Sequence, residues 1–475
     1  MTKSHFLRGV CLLFLLSNPF ACKKEDATPV VIPAPAISSL DPAIGGFGTQ
    51  VTITGSNFGS TAALNTVSFN GKPATIVSAN TSSIVAQVPD GAGTGPVMVT
   101  TGGKSGSFAG SFTYRLTATT SMLIGDGSIT FKAGQGTNAS VGGLRELIAN
   151  PANEYLYGWQ PVADGEQLRK FATDGTVSDV VPAIKSPIAL TGGQYAFLDH
   201  LSFSPSGRAY CIVTIRNSQG TSSPIKSAQV GFVDTDGSLK LLTPPATSPP
   251  VTFAQINGLY ARTDAELYVI GRVTINAQGE VDKRLYKITS SGYTFIAGGS
   301  GGAMVDGKGA EGRFGRAEKS NHLTADKAGN LFVVDNACIR KVTPDGMVTT
   351  LAGSGVYAPE NSYTFKTEIK DGQGRQAILG KDDYLTIDNN DNLYLTGITS
   401  GYLNNYIRKV SPDGTVTTLI SKFPDQNTNQ LTPDKYDVNI GWISGAAPDK
   451  QGNLYFANLN NTNKSTGIWK LTAAH

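Results

Sequence analysis

The stretch "AGNLFVVDNACIRKVTPDGMVTTLAG", Ala328 to Gly353, decides the fold. Three short runs rich in Val, Leu, Ile and Thr are separated by "DNA" and "PDG". Runs of this kind read as strands, and a DG between two alternating runs is a hairpin signal. The second half has near-copies: "LRKFATDGTVSDVVP" from Leu168, "VGFVDTDGSLKLLTP" from Val230, "LYKITSSGYTFIAGG" from Leu285 and "IRKVSPDGTVTTLIS" from Ile407. A sixth, "IWKLTAAH" from Ile468, breaks off at the end of the sequence.

Each copy follows an inner hairpin. "HLTADKAGNLFVVD" from His322 aligns without gaps with "ELIANPANEYLYGW" from Glu146, "HLSFSPSGRAYCIV" from His200 and "GLYARTDAELYVIG" from Gly258. "YLTIDNNDNLYLTG" from Tyr384 and "GAAPDKQGNLYFAN" from Gly445 complete the set. Together these predict six four-stranded sheets at intervals of roughly fifty-five to seventy residues. A sheet so small cannot bury both faces alone, so neighbours must stack around an axis as a β-propeller. The last sheet lacks its outer strand. "GSITFKAGQG" from Gly127 matches "SGYTFIAGGS" from Ser291, so this early segment is expected to supply that strand and close the ring. The propeller is assigned to residues 120–475.

The repeats resemble NHL repeats, most clearly in "DGKGAEGRFG…LTADKAGNLFVVDNACIRKVTPDG" and "DGQGRQAILG…LTIDNNDNLYLTG…IRKVSPDG". The blades starting at Glu146, His200 and Gly258 match the spacing better than the consensus. Asp335 sits where such repeats commonly tie a blade together.

Residues 33–115 differ in character. "PAISSLDPAIGGFGTQVTITGSNFG", "VSFNG", "VAQVP" and the closing "SFTY" give alternating strand-length runs broken by Gly, Asn and Pro, the pattern of a small sandwich. The segment resembles the IPT/TIG immunoglobulin-like domain, which implies a spacer, a binding module or an interdomain prop. The expected fold is therefore all-β: an immunoglobulin-like sandwich followed by a six-bladed NHL-type propeller closed by an N-terminal strand.

The beginning, "MTKSHFLRGVCLLFLLSNPFAC", has a basic start, a short apolar run and a small residue before Cys22. It reads as a secretory leader over residues 1–21. The "FACKKEDATP" that follows resembles a bacterial lipoprotein signal, although Pro19 and Phe20 depart from the usual pattern. The resemblance implies acylation of Cys22, a tether over residues 22–32 and a place on the bacterial outer membrane. The run Lys23, Lys24, Glu25, Asp26 resembles the export tag of surface lipoproteins of the Bacteroidetes and implies surface exposure. Several acyl chains give a lasting membrane anchor where one does not. Cys211 and Cys338 fall in blades that are not neighbours, so both are expected to be buried free thiols.

Of 475 residues, 55 are Gly and only 16% are charged, with a formal net charge of +3. This composition favours many short strands, and the absence of a basic patch sets nucleic acid aside as a partner. The aligned inner-strand starts should ring one mouth of the channel, beside the long loops 243–256, 299–320, 353–382 and 420–443. Trp159, Trp442 and Tyr384 offer flat apolar surfaces there. Glu146, Asp199, His200, Asn257, Asn321, His322, Asp383, Asp335 and Asn458 offer polar groups. Aromatic faces with polar neighbours suit sugars, whose faces carry C–H and whose edges carry O–H.

Two functional classes compete, with a purely structural role as a third. The first is a non-catalytic surface protein binding glycan or an envelope or matrix protein. The second is a propeller enzyme, lactonase- or lyase-like, with a divalent metal in the channel mouth held by some of Glu146, His200, Asn257, Asn321, His322 and Asp383. No motif calls for another cofactor, and no Ser/His/Asp constellation stands out. "DTDG" from Asp234 and "DNNDN" from Asp388 fall on blade turns and lack the glycine and distal glutamate of a calcium loop.

Overall fold

A computed structural model describes residues 33–473, except 90, 115–117, 129, 151, 163–164, 181–183, 186–187, 190–192, 218–224, 235, 244, 246–250, 276–280, 316–321, 356–368, 399–404, 422–441 and 460–465. The leader, Cys22 and the tether lie outside these residues, as does Asn321.

The first unit is a seven-stranded antiparallel sandwich. Its strands follow the order Ala36–Asp41, Gln50–Ser56, Ser83–Gln87, Lys72–Ala79, Asn65–Phe69, Val97–Thr101, Lys104–Ser107. Alternation turns Val51, Ile53, Ile84, Val97 and Val99 inward, where they surround the edge-to-face pair Phe69 and Phe112. Each such side chain contributes about 1.5–3 kcal/mol by leaving water. Gly55 lies so close to the Ala36 carbonyl that a Cβ there would meet its oxygen at 2.0 Å.

Among the described residues, six further sheets make the propeller. Blade 1 holds Ile148–Ala149, Tyr155–Val162, Gly165–Ala172 and Val177–Asp179. Blade 2 holds Tyr195–Phe203, Ala209–Arg216, Ile225–Val233 and Leu239–Leu241. Blade 3 holds Phe253–Thr263, Glu266–Thr274, Val281–Thr289 and Gly292–Ala297. Blade 4 holds Leu323–Ala325, Leu331–Val334, Ile339–Val342 and Met347–Ala352. Blade 5 holds Lys381–Ile387, Leu393–Ile398, Asn405–Val410 and Thr415–Ser421. Apolar layers fill the spaces between blades. Phe332, Val334 and Ile339 of blade 4 meet Leu385, Leu393 and Leu395 of blade 5. Cys211 and Cys338 are buried free thiols, as expected.

Blade 6 joins Trp442–Pro448, Leu454–Leu459 and Thr466–Ala473 to Ala118–Gly127, which pairs antiparallel with Thr466–Ala473. Ile124 and Ile468 then pack with Leu156 and Phe171 of blade 1 and complete the ring. An early strand does close the propeller, but it lies upstream of the expected "GSITFKAGQG". That segment instead belongs to the connection between blades. Gly136 donates its N–H to the Gly175 carbonyl, as Gly309 does to Gly346 and Gly374 to Gly414, and all three glycines hold φ between 56° and 59°. "KAGQGTNASVG" is thus the counterpart of "DGKGAEGRFG" and "DGQGRQAILG". Its alternating residues looked like an outer strand because alternation does not tell which partner a strand finds.

Two fully buried arginines lock these connections. Arg340 donates to the Val305 and Arg313 carbonyls and pairs with Asp306 at 2.8 Å. Arg408 donates to the Ile378 and Lys370 carbonyls and pairs with Asp371 at 2.9 Å. In blade 1 the matching acid is replaced by Ala133, and Arg169 instead pairs with Asp179 and lies over the Phe131 ring.

Candidate functional site

The inner strands of the propeller bulge at one level. In blade 2, Asp199 faces Ile212 and Leu201 faces Cys211, which leaves His200 as the extra residue at φ +47°. Asn257 is skipped in the same way in blade 3 and Asp383 in blade 5, and the register shifts between Ile443 and Ala446 in blade 6. Bulges re-aim side chains, and a left-handed φ at a non-glycine residue is strain held by its surroundings.

The bulge in blade 2 brings His200 beside His322 from blade 4, with ring centroids 4.6 Å apart and nearly perpendicular. Glu146, from the segment before the first strand of blade 1, completes a cluster. One ligand atom from each of the three side chains lies within 4.8 Å of the others. Glu146 Oε1 is 3.7 Å from His322 Nδ1, and Oε2 accepts the Leu201 N–H at 2.9 Å. Glu146 Oε1 and His322 Nε2 are buried without a hydrogen-bond partner. Tyr384 packs its ring 4.6 Å from that of His322 and donates its hydroxyl to the Arg145 carbonyl at 2.7 Å. Arg145 forms an ion pair with the buried Glu166.

Electrostatics follow from burial. Desolvation pushes the Glu146 carboxyl up to about 8, the Leu201 N–H pulling back and the Asp199 charge adding to the rise. Burial holds His322 well below the ordinary imidazole range, and His200 lowers it further. Burial also lowers His200, against the opposite pull of Asp199. Burial therefore disfavours charge on all three side chains.

A cavity of about 290 Å³ starts at His200 and His322 and runs along the inner strands of five blades. It ends among the inner-hairpin turns, at Asn150, Asn153, Arg262, Lys327, Asn389 and Asp391. Hence it reaches the face opposite the expected mouth. As expected, "DNNDN" from Asp388 is a blade turn. Asp388 accepts the N–H groups of Asn390 and Asn392 and the Tyr394 hydroxyl, so its carboxylate is saturated by its own turn. Asn389 and Asp391 between these anchors nonetheless line the cavity, a double use that the "DNNDN" string does not reveal.

The other candidates divide. Trp159 is 2% exposed and packs with Leu168, Leu198 and Cys211 between blades 1 and 2, so it is core and not a platform. A tryptophan at a blade edge is drawn between sheets because that is where its large apolar area leaves water. Asp335 is fully buried. It accepts the Gly315 N–H and pairs with Lys283, tying blade 3 to blade 4. Asn257 and Asn458 are buried, whereas Asp199 is exposed and accepts the Thr214 hydroxyl at 3.2 Å. Asp383 and Trp442 occupy inner strands, but their side chains lie outside the described residues.

A model of the IPT/TIG domain matches residues 35–114. The sandwich is an IPT/TIG domain. No curated protein matches the chain. Among solved structures, a structural genomics protein from Bacteroides thetaiotaomicron is 16% identical, with 93% of this chain and 98% of that chain covered and a TM-score of 0.48. An auxiliary nutrient binding protein from Bacteroides ovatus is 14% identical, covering 93% and 99%, with a TM-score of 0.44. A gluconolactonase from Xanthomonas campestris is 12% identical, covering 73% and 89%, with a TM-score of 0.39.

Proposed function

We propose that the chain is a lipid-anchored protein of the bacterial outer surface whose propeller binds a small glycan unit in its channel without transforming it. In this reading Cys22 carries the acyl chains, residues 22–32 are a tether, the IPT/TIG domain is a spacer and NHL-type repeats build the ring. The observation that carries the reading is the channel cavity of about 290 Å³, with amides, carboxylates and cations at one end and apolar strand residues along its wall. That size approaches the lower range of small-molecule pockets, and mixed polar and apolar lining suits a sugar. A protein partner wants a broad face instead.

The test is a calorimetric screen of the metal-free chain against monosaccharides and short oligosaccharides. One ligand should bind with unit stoichiometry, and Arg262→Ala or Lys327→Ala, both at the cavity's end, should weaken it about tenfold or more. Saturable binding that ignores both substitutions places the ligand elsewhere. Labelling with a radioactive fatty acid, lost in Cys22→Ala, tests the anchor.

A second reading, a metal-dependent propeller enzyme, is favoured by one specific observation: the convergence of Glu146, His200 and His322.

A further inference from the structure

We infer that Glu146, His200 and His322 form a binding site for a divalent first-row transition ion, best matched by Zn²⁺, with a coordination position left open toward the channel cavity. The inference does not rest on glycan binding and stands or falls separately from it.

Three observations converge. First, the donor set is right: one carboxylate oxygen and two imidazole nitrogens suit Zn²⁺, whereas Ca²⁺ and Mg²⁺ want oxygen alone. The donor atoms lie within 4.8 Å of one another. Tetrahedral bonds of about 2.1 Å place donors about 3.4 Å apart, so the side chains need to close by at most about 1.4 Å.

Second, the cluster carries unmet bonding capacity where proteins rarely leave it. Glu146 Oε1 and His322 Nε2 are buried without partners, on side chains 5% and 9% exposed. Buried polar atoms are nearly always paired, and an ion bonded to Oε1 and to imidazole nitrogens of the cluster accounts for such unmet capacity.

Third, the surroundings hold the ligands in place. The Leu201 N–H fixes Oε2 and leaves Oε1 toward His322. Tyr384, anchored on the Arg145 carbonyl, packs the His322 ring from the side. The His200 bulge holds a left-handed backbone that turns its ring toward His322. Outer contacts of this kind orient metal ligands and tune their basicity. Because three residues supply one donor each, a four-coordinate ion keeps one exchangeable position. His200 and His322 both line the cavity, so a water or a ligand oxygen reaches that position from the channel.

The experiment uses the untagged full chain, stripped with chelator and titrated with Zn²⁺ alone, then with Co²⁺ as a spectroscopic substitute. One ion per chain should bind, and Co²⁺ should show the intense visible bands of a tetrahedral site. His200→Ala and His322→Ala should each weaken Zn²⁺ binding at least about 100-fold. Glu146→Gln, which keeps the shape of the side chain, should fold normally and weaken binding about tenfold or more. It decides the matter even if the histidine variants fail to fold. A chain that takes up no Zn²⁺ at micromolar concentration, or binding that survives Glu146→Gln unchanged, overturns the inference. Glycan binding by the metal-free chain is unaffected by either outcome.

Discussion

Glu146 Oε1 stands 3.7 Å from His322 Nδ1, although the two residues belong to blades 1 and 4, on opposite sides of the ring. Side chains from opposite blades meet only where the inner strands converge on the axis, and bulges in four of the six blades fall at that level. Their approach depends on closure: without the strand Ala118–Gly127, blade 6 lacks its outer edge and the layer it shares with blade 1 loses Ile124.

Closure is therefore open to test. Thr120 pairs with Leu471 in the closing strand. Thr120→Pro removes a backbone donor and should destabilise the propeller by about 3 kcal/mol or more. The IPT/TIG domain should be spared, which limited proteolysis followed by mass spectrometry will show as a resistant fragment near residues 33–115. Equal resistance of the propeller in both proteins means that the strand is not needed for closure.

The buried arginines should be costly to remove. Arg408→Ala removes the ion pair to Asp371 and one hydrogen bond from each of the Ile378 and Lys370 carbonyls, which keep their backbone partners, as Asp371 keeps Thr418. A loss of about 1.5–3 kcal/mol in urea unfolding is expected. Arg375→Ala, on the exposed side of Asp306, should cost no more than about 1 kcal/mol.

Stability should fall at alkaline pH through Tyr394 and Tyr455. Burial raises both phenols, and the nearby Asp388 and Asp449 carboxylates, which accept their hydroxyls, raise them further. Unfolded tyrosine ionises near pH 10, so the stabilisation is intact below about pH 10 and lost as pH climbs beyond it. The double variant Tyr394→Phe, Tyr455→Phe should be weaker by about 2 kcal/mol at neutral pH, yet decline less steeply above pH 10. Parallel declines in chemical denaturation would remove these two groups as the cause.

Trp159 and Arg262 should separate stability from binding. Trp159→Ala opens a hole between blades 1 and 2 and should cost about 3–5 kcal/mol while leaving the affinity of the folded protein for a channel ligand unchanged. Arg262→Ala, at a half-exposed side chain beside the cavity, should do the reverse. Melting curves and calorimetry on the same two samples check both halves.

Much of the architecture was readable from residues adjacent in the chain. The blade count followed from copies of one alternating hairpin, and the sandwich from "VTITGSNFG" and its companions, because strand period and turn chemistry are local properties. Both free thiols followed from their places in blades that are not neighbours. The polar residues at the inner-strand starts were legible as a set, since equivalent positions in a repeat share a level. Legibility stopped where long-range pairing took over. Phe131 and Lys132 alternate like an outer strand but pair with Ser140–Val141, and the true closing strand lies just upstream.

By itself, then, the sequence determined six small sheets and a sandwich, and named Glu146, His200 and His322 among the polar residues of the propeller. Only the tertiary structure decided that these three share one spot, that Trp159 is core, and that the cavity opens past the turns. The physical reason is that alternation tells which side of its own strand a residue takes. What it then meets depends on the twist of each blade and the way the ring closes, which no contiguous segment encodes.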